Sequence, residues 1–235
     1  MTVFFDIDDT IYARSTPFIE AMKEFFGSGV SDAAALCAYR RFEARGNEVF
    51  IASQRGEISM DEMNIYRYCR GLEDAGLTIS ADDALRLEAL YCKAKESICL
   101  TPVMEEILAF STGAFDNAGI LTNGPAEKQR SKINTLGLGR FFRPEMIIVS
   151  GEVGMDKPEP GIFLLAQQRC GAEPGDILYV GDSPRNDMIP AKALGWKTLF
   201  FNRFGIDAAP VPHDREVRTE EEMLAALKDI SINGI

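Results

Sequence analysis

From Thr101 onward the chain alternates short apolar runs with segments of helical periodicity, and that alternation leaves few folds open to it. Strand-then-helix repeats are the sequence form of right-handed βαβ units, which lay their strands parallel in one sheet with helices on its faces. Thr101-Pro102 reads as the N-cap and first residue of a helix through Ile107 and Leu108. A strand is then expected at Ala118 to Thr122, a helix from Pro125 to Leu136, and a strand at Met146 to Ser150. A helix from about Gly161 to Cys170 precedes the strand Ile177 to Gly181. A helix from Asp187 to Leu194, a strand at Thr198 to Phe201 and a terminal helix near Thr219 to Leu227 complete the pattern, the last opened by a capping box of Thr219 and Glu222. With an N-terminal strand containing Val3, Phe4, Phe5 and Ile7 this makes five parallel strands in an α/β fold, a doubly wound, Rossmann-like sheet.

Between Ile11 and about Leu100 no comparable strand is legible, and the apolar residues recur at helical spacing. Thr16-Pro17 opens a helix through Phe25, Ser31 a second through Phe42, and a third passes through Val49, Phe50 and Ile51. Ser59 with Glu62 forms a capping box for a helix to Cys69 and Leu72, and Ser80 opens one through Leu85, Leu87 and Tyr91. The expected organisation is therefore an α/β core of residues 1–12 and 100–235 with an all-helical domain, residues 13–99, inserted after the first strand. An insertion there would lie over the C-terminal edge of the sheet, where open α/β folds bind ligands, and so reads as a lid or cap. Only Asn202 to Asp214 reads as a looser stretch.

At 235 residues with 46% hydrophobic content the chain can bury a sizeable core. Its net charge of −11 argues against a nucleic-acid or anionic-membrane surface, since both need clustered Lys and Arg. Five cysteines, odd in number and with no CxxC pair, suit small hydrophobes in a reducing cytosol. Met1 leads into a strand with no basic region and long apolar stretch behind it, so neither a signal peptide nor a membrane span is expected, and the protein reads as cytoplasmic. A monomer or a homodimer fits equally.

The first strand ends in Asp6-Ile7-Asp8-Asp9-Thr10, three carboxylates where an apolar run stops. Clustered carboxylates raise one another's pKa unless a cation joins them, so the group asks for a metal. On an extended chain Asp6 and Asp8 point to one face and Asp9 to the other. A calcium loop counted from Asp6 fails, because Ile11 stands where a glycine belongs and Pro17 where a bidentate glutamate belongs.

Three more polar clusters follow later strands. Thr122, Asn123 and Gly124 bring a hydroxyl and an amide to a helix start, where free N–H groups bind phosphate. Lys157 stands in Asp156-Lys157-Pro158-Glu159-Pro160, placed to neutralise a phosphate or steady a carboxylate. Asp182 and Asp187, at a strand tip and the next helix start, can converge on an ion with hard oxygen ligands. Asp6-x-Asp8-x-Thr10, Leu121-Thr122-Asn123, Lys157-Pro158 and Gly181-Asp182-x-x-x-x-Asp187 together resemble the four ordered motifs of the haloacid dehalogenase (HAD) superfamily, and the helical stretch is similar to the cap of one of its branches. The resemblance implies Asp6 as nucleophile and Asp8 as general acid and base. It implies phosphoryl binding by Thr122 and Lys157, with Asn123 at the same helix start. It further implies Mg2+ held by Asp6, the Asp8 backbone carbonyl and Asp182, with Asp187 supporting it.

The implied reaction is hydrolysis of a small phosphorylated metabolite through an aspartyl-phosphate, a chemistry that suits a carboxylate nucleophile. Dehalogenases of the superfamily lack an acid at the Asp8 position, which ranks a phosphatase above a dehalogenase. A phosphomutase uses the same carboxylate pair, and a phospho-accepting receiver module shares the acidic cluster, Thr122 and Lys157 but leaves the helical insertion unaccounted for. The cap is similar to that of members acting on nucleoside monophosphates or phosphoglycolate. Arg14, Arg40, Arg41, Arg45, Arg55 and Arg67 are possible leaving-group contacts, though most read as solvated helix charges, and His213 reads as a surface residue.

Overall fold

The computed structural model describes residues 1–206 and 211–235, except the side chain of Gln54. Its packing divides the chain into two compact units, Met1–Ala13 with Cys99–Ile235, and Arg14–Ile98. Strand β1 (Thr2–Phe5) opens the first unit and is buried along its whole length, as a strand covered on both faces requires.

The second unit is all-helical: α1 (Ser15–Phe26), α2 (Asp32–Gln54), α3 (Met60–Asp74) and α4 (Ala81–Lys95). Ser31, Ser59 and Ser80 each cap the following helix by accepting a backbone N–H, and Ser59 with Glu62 completes a capping box. The two helices expected over Ser31 to Ile51 are one helix of 23 residues. Gly46 does not break it, because a helical glycine costs only about 1 kcal/mol, and the Arg67 stem lies 3.5 Å from where its Cβ would stand. The core of this unit is aromatic, with Phe18 stacked on Tyr68 at 5.9 Å and Phe42 tilted against Tyr68 at 4.5 Å.

The first unit resumes with α5 (Pro102–Ala114), β2 (Asn117–Thr122), α6 (Ala126–Thr135), β3 (Ile147–Val149), the short α7 (Ser150–Val153) and α8 (Pro160–Cys170). It continues with β4 (Ile177–Gly181), a π turn at Pro184–Met188, α9 (Ile189–Ala193), β5 (Lys197–Phe201), β6 (Arg215–Val217) and α10 (Glu220–Asn233). Among the described residues six strands form one sheet in the order β3-β2-β1-β4-β5-β6, every pair parallel. The sixth strand was not expected, since Arg-Glu-Val carries no apolar run and only an edge position admits it. The looser stretch expected over Asn202 to Asp214 includes residues 207–210, which lie outside the described residues.

Because β2 and β4 flank β1, the chain reverses its direction of winding beside β1, the switch point at which doubly wound sheets open a crevice. Phe5 is in register with Ile120 and Val180, so the residues that follow these three emerge together at the C-terminal edge. Phe4, Phe163, Tyr179, Trp196 and Phe200 fill the core beneath, with Phe4 and Trp196 stacked at 5.9 Å. Among the described residues no helix is long and apolar enough to cross a membrane.

Candidate active site

Asp6 follows β1 directly, and its N–H donates to the Val180 carbonyl at 3.0 Å, which extends the β1–β4 ladder and fixes the nucleophile candidate against the end of β4. Beyond it the chain does not stay extended, as the spacing of Asp6 and Asp8 had suggested. It turns on Ile7, whose carbonyl accepts from the N–H groups of Thr10, Ile11 and Tyr12, and Asp9 adopts φ 60°. Arg203 braces this turn by donating to the Asp9 and Thr10 carbonyls at 3.2 and 3.4 Å while pairing with Glu220 at 3.2 Å.

Asp6, Asp182 and Asp187 form one group, with a carboxylate oxygen of each lying within 4.8 Å of the others. Lys157 reaches two of them, its ammonium 3.0 Å from Asp6 and 2.7 Å from Asp187. Lys157 and Asp187 are 4% and 0% exposed, so this pairing is shielded from water. The other Asp187 oxygen accepts the Ser183 N–H at 2.9 Å. Tyr179 Oη accepts from the Lys157 ammonium at 2.8 Å and lies 2.8 Å from the Leu121 carbonyl.

The protonation states follow from burial and charge. Burial raises the Asp6 carboxyl and Lys157 lowers it, while Asp187 and Asp8 raise it again, leaving a pKa of about 6. Burial acts to lower the Lys157 ammonium, but Asp187 and Asp6 together hold it above its ordinary range. Burial, then Asp187 and Asp6, keep the Tyr179 hydroxyl protonated. Three carboxylates against one ammonium leave a negative, largely dry group of hard oxygen donors, and this donor set fits Mg2+.

The other expected residues take distinct places. Thr122, at the end of β2, is 1% exposed, and its hydroxyl accepts from Gln129 at 3.1 Å. Asn123 spends its side chain on the Lys157 backbone, accepting the N–H and donating to the carbonyl at 2.8 Å each. It therefore fixes the loop that carries Lys157. The Asp8 carboxylate is not part of the three-acid group. It meets Lys132 at 2.6 and 2.7 Å, Gln129 at 3.0 Å and the Tyr12 hydroxyl at 2.8 Å.

Lys132, Gln129, Tyr12, Tyr179 and Arg203 were not singled out from the sequence, where none of them belongs to a polar cluster at a strand end. The available signal was the buried stripe of α6, where Gln129 occupies a core position one turn before Ile133. Of the arginines in the helical unit, Arg67 departs from the solvated role expected for most of them: it pairs with Glu88 at 3.0 Å and lies over Phe42 at 4.2 Å.

The chain is similar to several known proteins. A phosphoserine phosphatase of Thermus thermophilus is 31% identical over 132 residues, 56% of this chain and 51% of that protein, so the match spans about half of the relative's length. A glyceraldehyde 3-phosphate phosphatase of Methanopyrus kandleri is 25% identical over 208 residues, 86% of this chain and 83% of its own. The magnesium-bound HAD-hydrolase YfnB of Bacillus subtilis shares the fold with a TM-score of 0.69 at 24% identity, over 96% of this chain and 97% of that one. The haloacid dehalogenase-like hydrolase model matches residues 1–195, which include all four polar clusters, and the chain belongs to that family.

Proposed function

We propose that the protein is a magnesium-dependent phosphomonoesterase acting on a small phosphorylated metabolite through an aspartyl-phosphate on Asp6. The observation that carries this reading is the buried ammonium of Lys157 between Asp6 and Asp187, beside a third acid, Asp182. Asp6, the Asp8 backbone carbonyl and Asp182, supported by Asp187, would hold the magnesium, which when bound offsets negative charge on the transferring phosphoryl oxygens.

In this reading the Asp6 carboxylate attacks phosphorus, and with a pKa of about 6 it is ionised at neutral pH. Lys157 and the Thr122 hydroxyl hold the equatorial oxygens, with Asn123 fixing the Lys157 backbone. Asp8 gives its proton to the leaving oxygen, then takes one from the water that attacks the acyl-phosphate. Residues 13–99 are read as the helical cap domain. The relatives' names make phosphoserine and glyceraldehyde 3-phosphate natural first substrates to try, with nucleoside monophosphates and phosphoglycolate beside them. Five cysteines without a disulfide suit a cytoplasmic setting.

The test is phosphate release from a panel of such metabolites, and from p-nitrophenyl phosphate, with and without Mg2+. Catalytic release that needs the metal and falls about a thousandfold or more in Asp6→Asn is expected. Release that persists in Asp6→Asn, or that ignores chelation, would overturn the reading.

A further inference from the structure

Gln129 and Lys132 stand three residues apart on α6, a spacing that sets two side chains on one helix face. Both reach the Asp8 carboxylate. Lys132 bonds each of its oxygens, Gln129 bonds one, and Tyr12 bonds the other. The same Gln129 amide reaches the Thr122 hydroxyl at 3.1 Å, so one side chain ties Asp8 to the end of β2. These bonds are partly sheltered, the Lys132 and Asp8 side chains being 23% and 21% exposed. An exposed ion pair orders little, but a carboxylate held by three donors, two from α6 and one from the turn after β1, has few rotamers left.

We propose that Lys132, seconded by Gln129, is a positioning residue that holds the Asp8 carboxyl at the place where it exchanges a proton with the leaving oxygen. The inference rests on the phosphatase reading. In the step concerned the Asp6–phosphorus bond forms as the phosphorus–oxygen ester bond breaks, and the Asp8 proton goes to the departing oxygen. An ester whose alcohol leaves readily as an anion needs that proton little; one with a basic alcohol needs it much. Loss of Lys132 should therefore slow poor leaving groups selectively, whereas a purely structural role would slow all esters alike.

The experiment compares kcat/KM of the wild type and Lys132→Met across para-substituted phenyl phosphates, from nitro to methoxy, at saturating Mg2+. General acid assistance contributes about 10²–10⁴ in rate, so the methoxy ester should lose at least about tenfold more than the nitro ester. Lys132→Arg should recover most of that difference. Equal loss across the series, or no loss, would overturn the proposal. Should Lys132→Met fail to fold by circular dichroism, Lys132→Gln carries the same comparison, with selective loss supporting the proposal and uniform or absent loss overturning it. A wild type inert toward the whole series would instead overturn the phosphatase reading, and this inference with it.

Discussion

At the scale of single residues, the end of β4 is built around a missing side chain. A Cβ on Gly181 would stand 2.5 Å from Asp187 Oδ2, a separation real side chains do not adopt, so the acid comes this close only because residue 181 has none. Gly181→Ala is expected to cost about 1–3 kcal/mol, the usual effect of overpacking, and to raise the Mg2+ concentration needed for half-maximal phosphate release. Urea unfolding and a magnesium titration measure the two effects, and an unchanged variant would show that Asp187 can shift without consequence. Sequence reasoning named Asp6, Lys157, Asp182 and Asp187 because acids and a lysine at strand tips are unusual, and the structure gathers them. It could not see Tyr179, whose place within an apolar strand hides a hydroxyl serving Lys157. Asp8 was read on an extended chain, and the turn on Ile7 that redirects it depends on carbonyl bonding with no composition signal.

At the scale of elements, α2 and α3 approach closely where Gly71 faces the Phe42 backbone, and a Cβ there would lie 2.7 Å from the Phe42 N and Cα atoms. Backbone cannot yield as a side chain can. Gly71→Ala should therefore destabilise the helical unit by about 1–3 kcal/mol despite alanine's higher helix propensity, a loss readable as a lower thermal midpoint. An unchanged or raised midpoint would show that the helices separate at little cost. The parallel strands were legible because each is a short apolar run bounded by turn residues, and Ile177–Gly181 matches to the residue. Helix starts were legible where Ser or Thr supplies a cap, as at Ser59 and Thr219. What failed was the break placed within α2, since weak internal periodicity around Gly46 resembles a loop until tertiary packing is known. The edge strand β6 failed for the complementary reason, being set by pairing with β5 and by no pattern of its own.

At the scale of the whole molecule, an acidic chain of net charge −11 places a further excess of negative charge in a largely buried polar site. The Asp6 pKa of about 6 against an ordinary 3.8 gives the thermodynamic consequence its sign. Between those values the folded, metal-free protein binds more protons than the unfolded chain, so this group's contribution to stability falls as pH rises through the window. Above about pH 6 the full penalty of an ionised Asp6 is present, on the order of 2–3 kcal/mol. An uncharged isostere escapes that penalty, so metal-free Asp6→Asn should melt higher than the wild type at pH 7.5 and close to it at pH 4.5. A cation that binds only the folded state reverses the balance, and it must displace the Asp6 proton wherever one is bound. Millimolar Mg2+ should accordingly raise the wild-type melting temperature by several degrees at pH 7.5 and by much less at pH 5, with little response in Asp6→Asn at either pH. A magnesium shift of equal size at both pH values would mean that the cation binds away from Asp6. A variant less stable than the wild type at pH 7.5 would mean that the ionised carboxylate is already balanced by Lys157 and that the site needs no metal to stand.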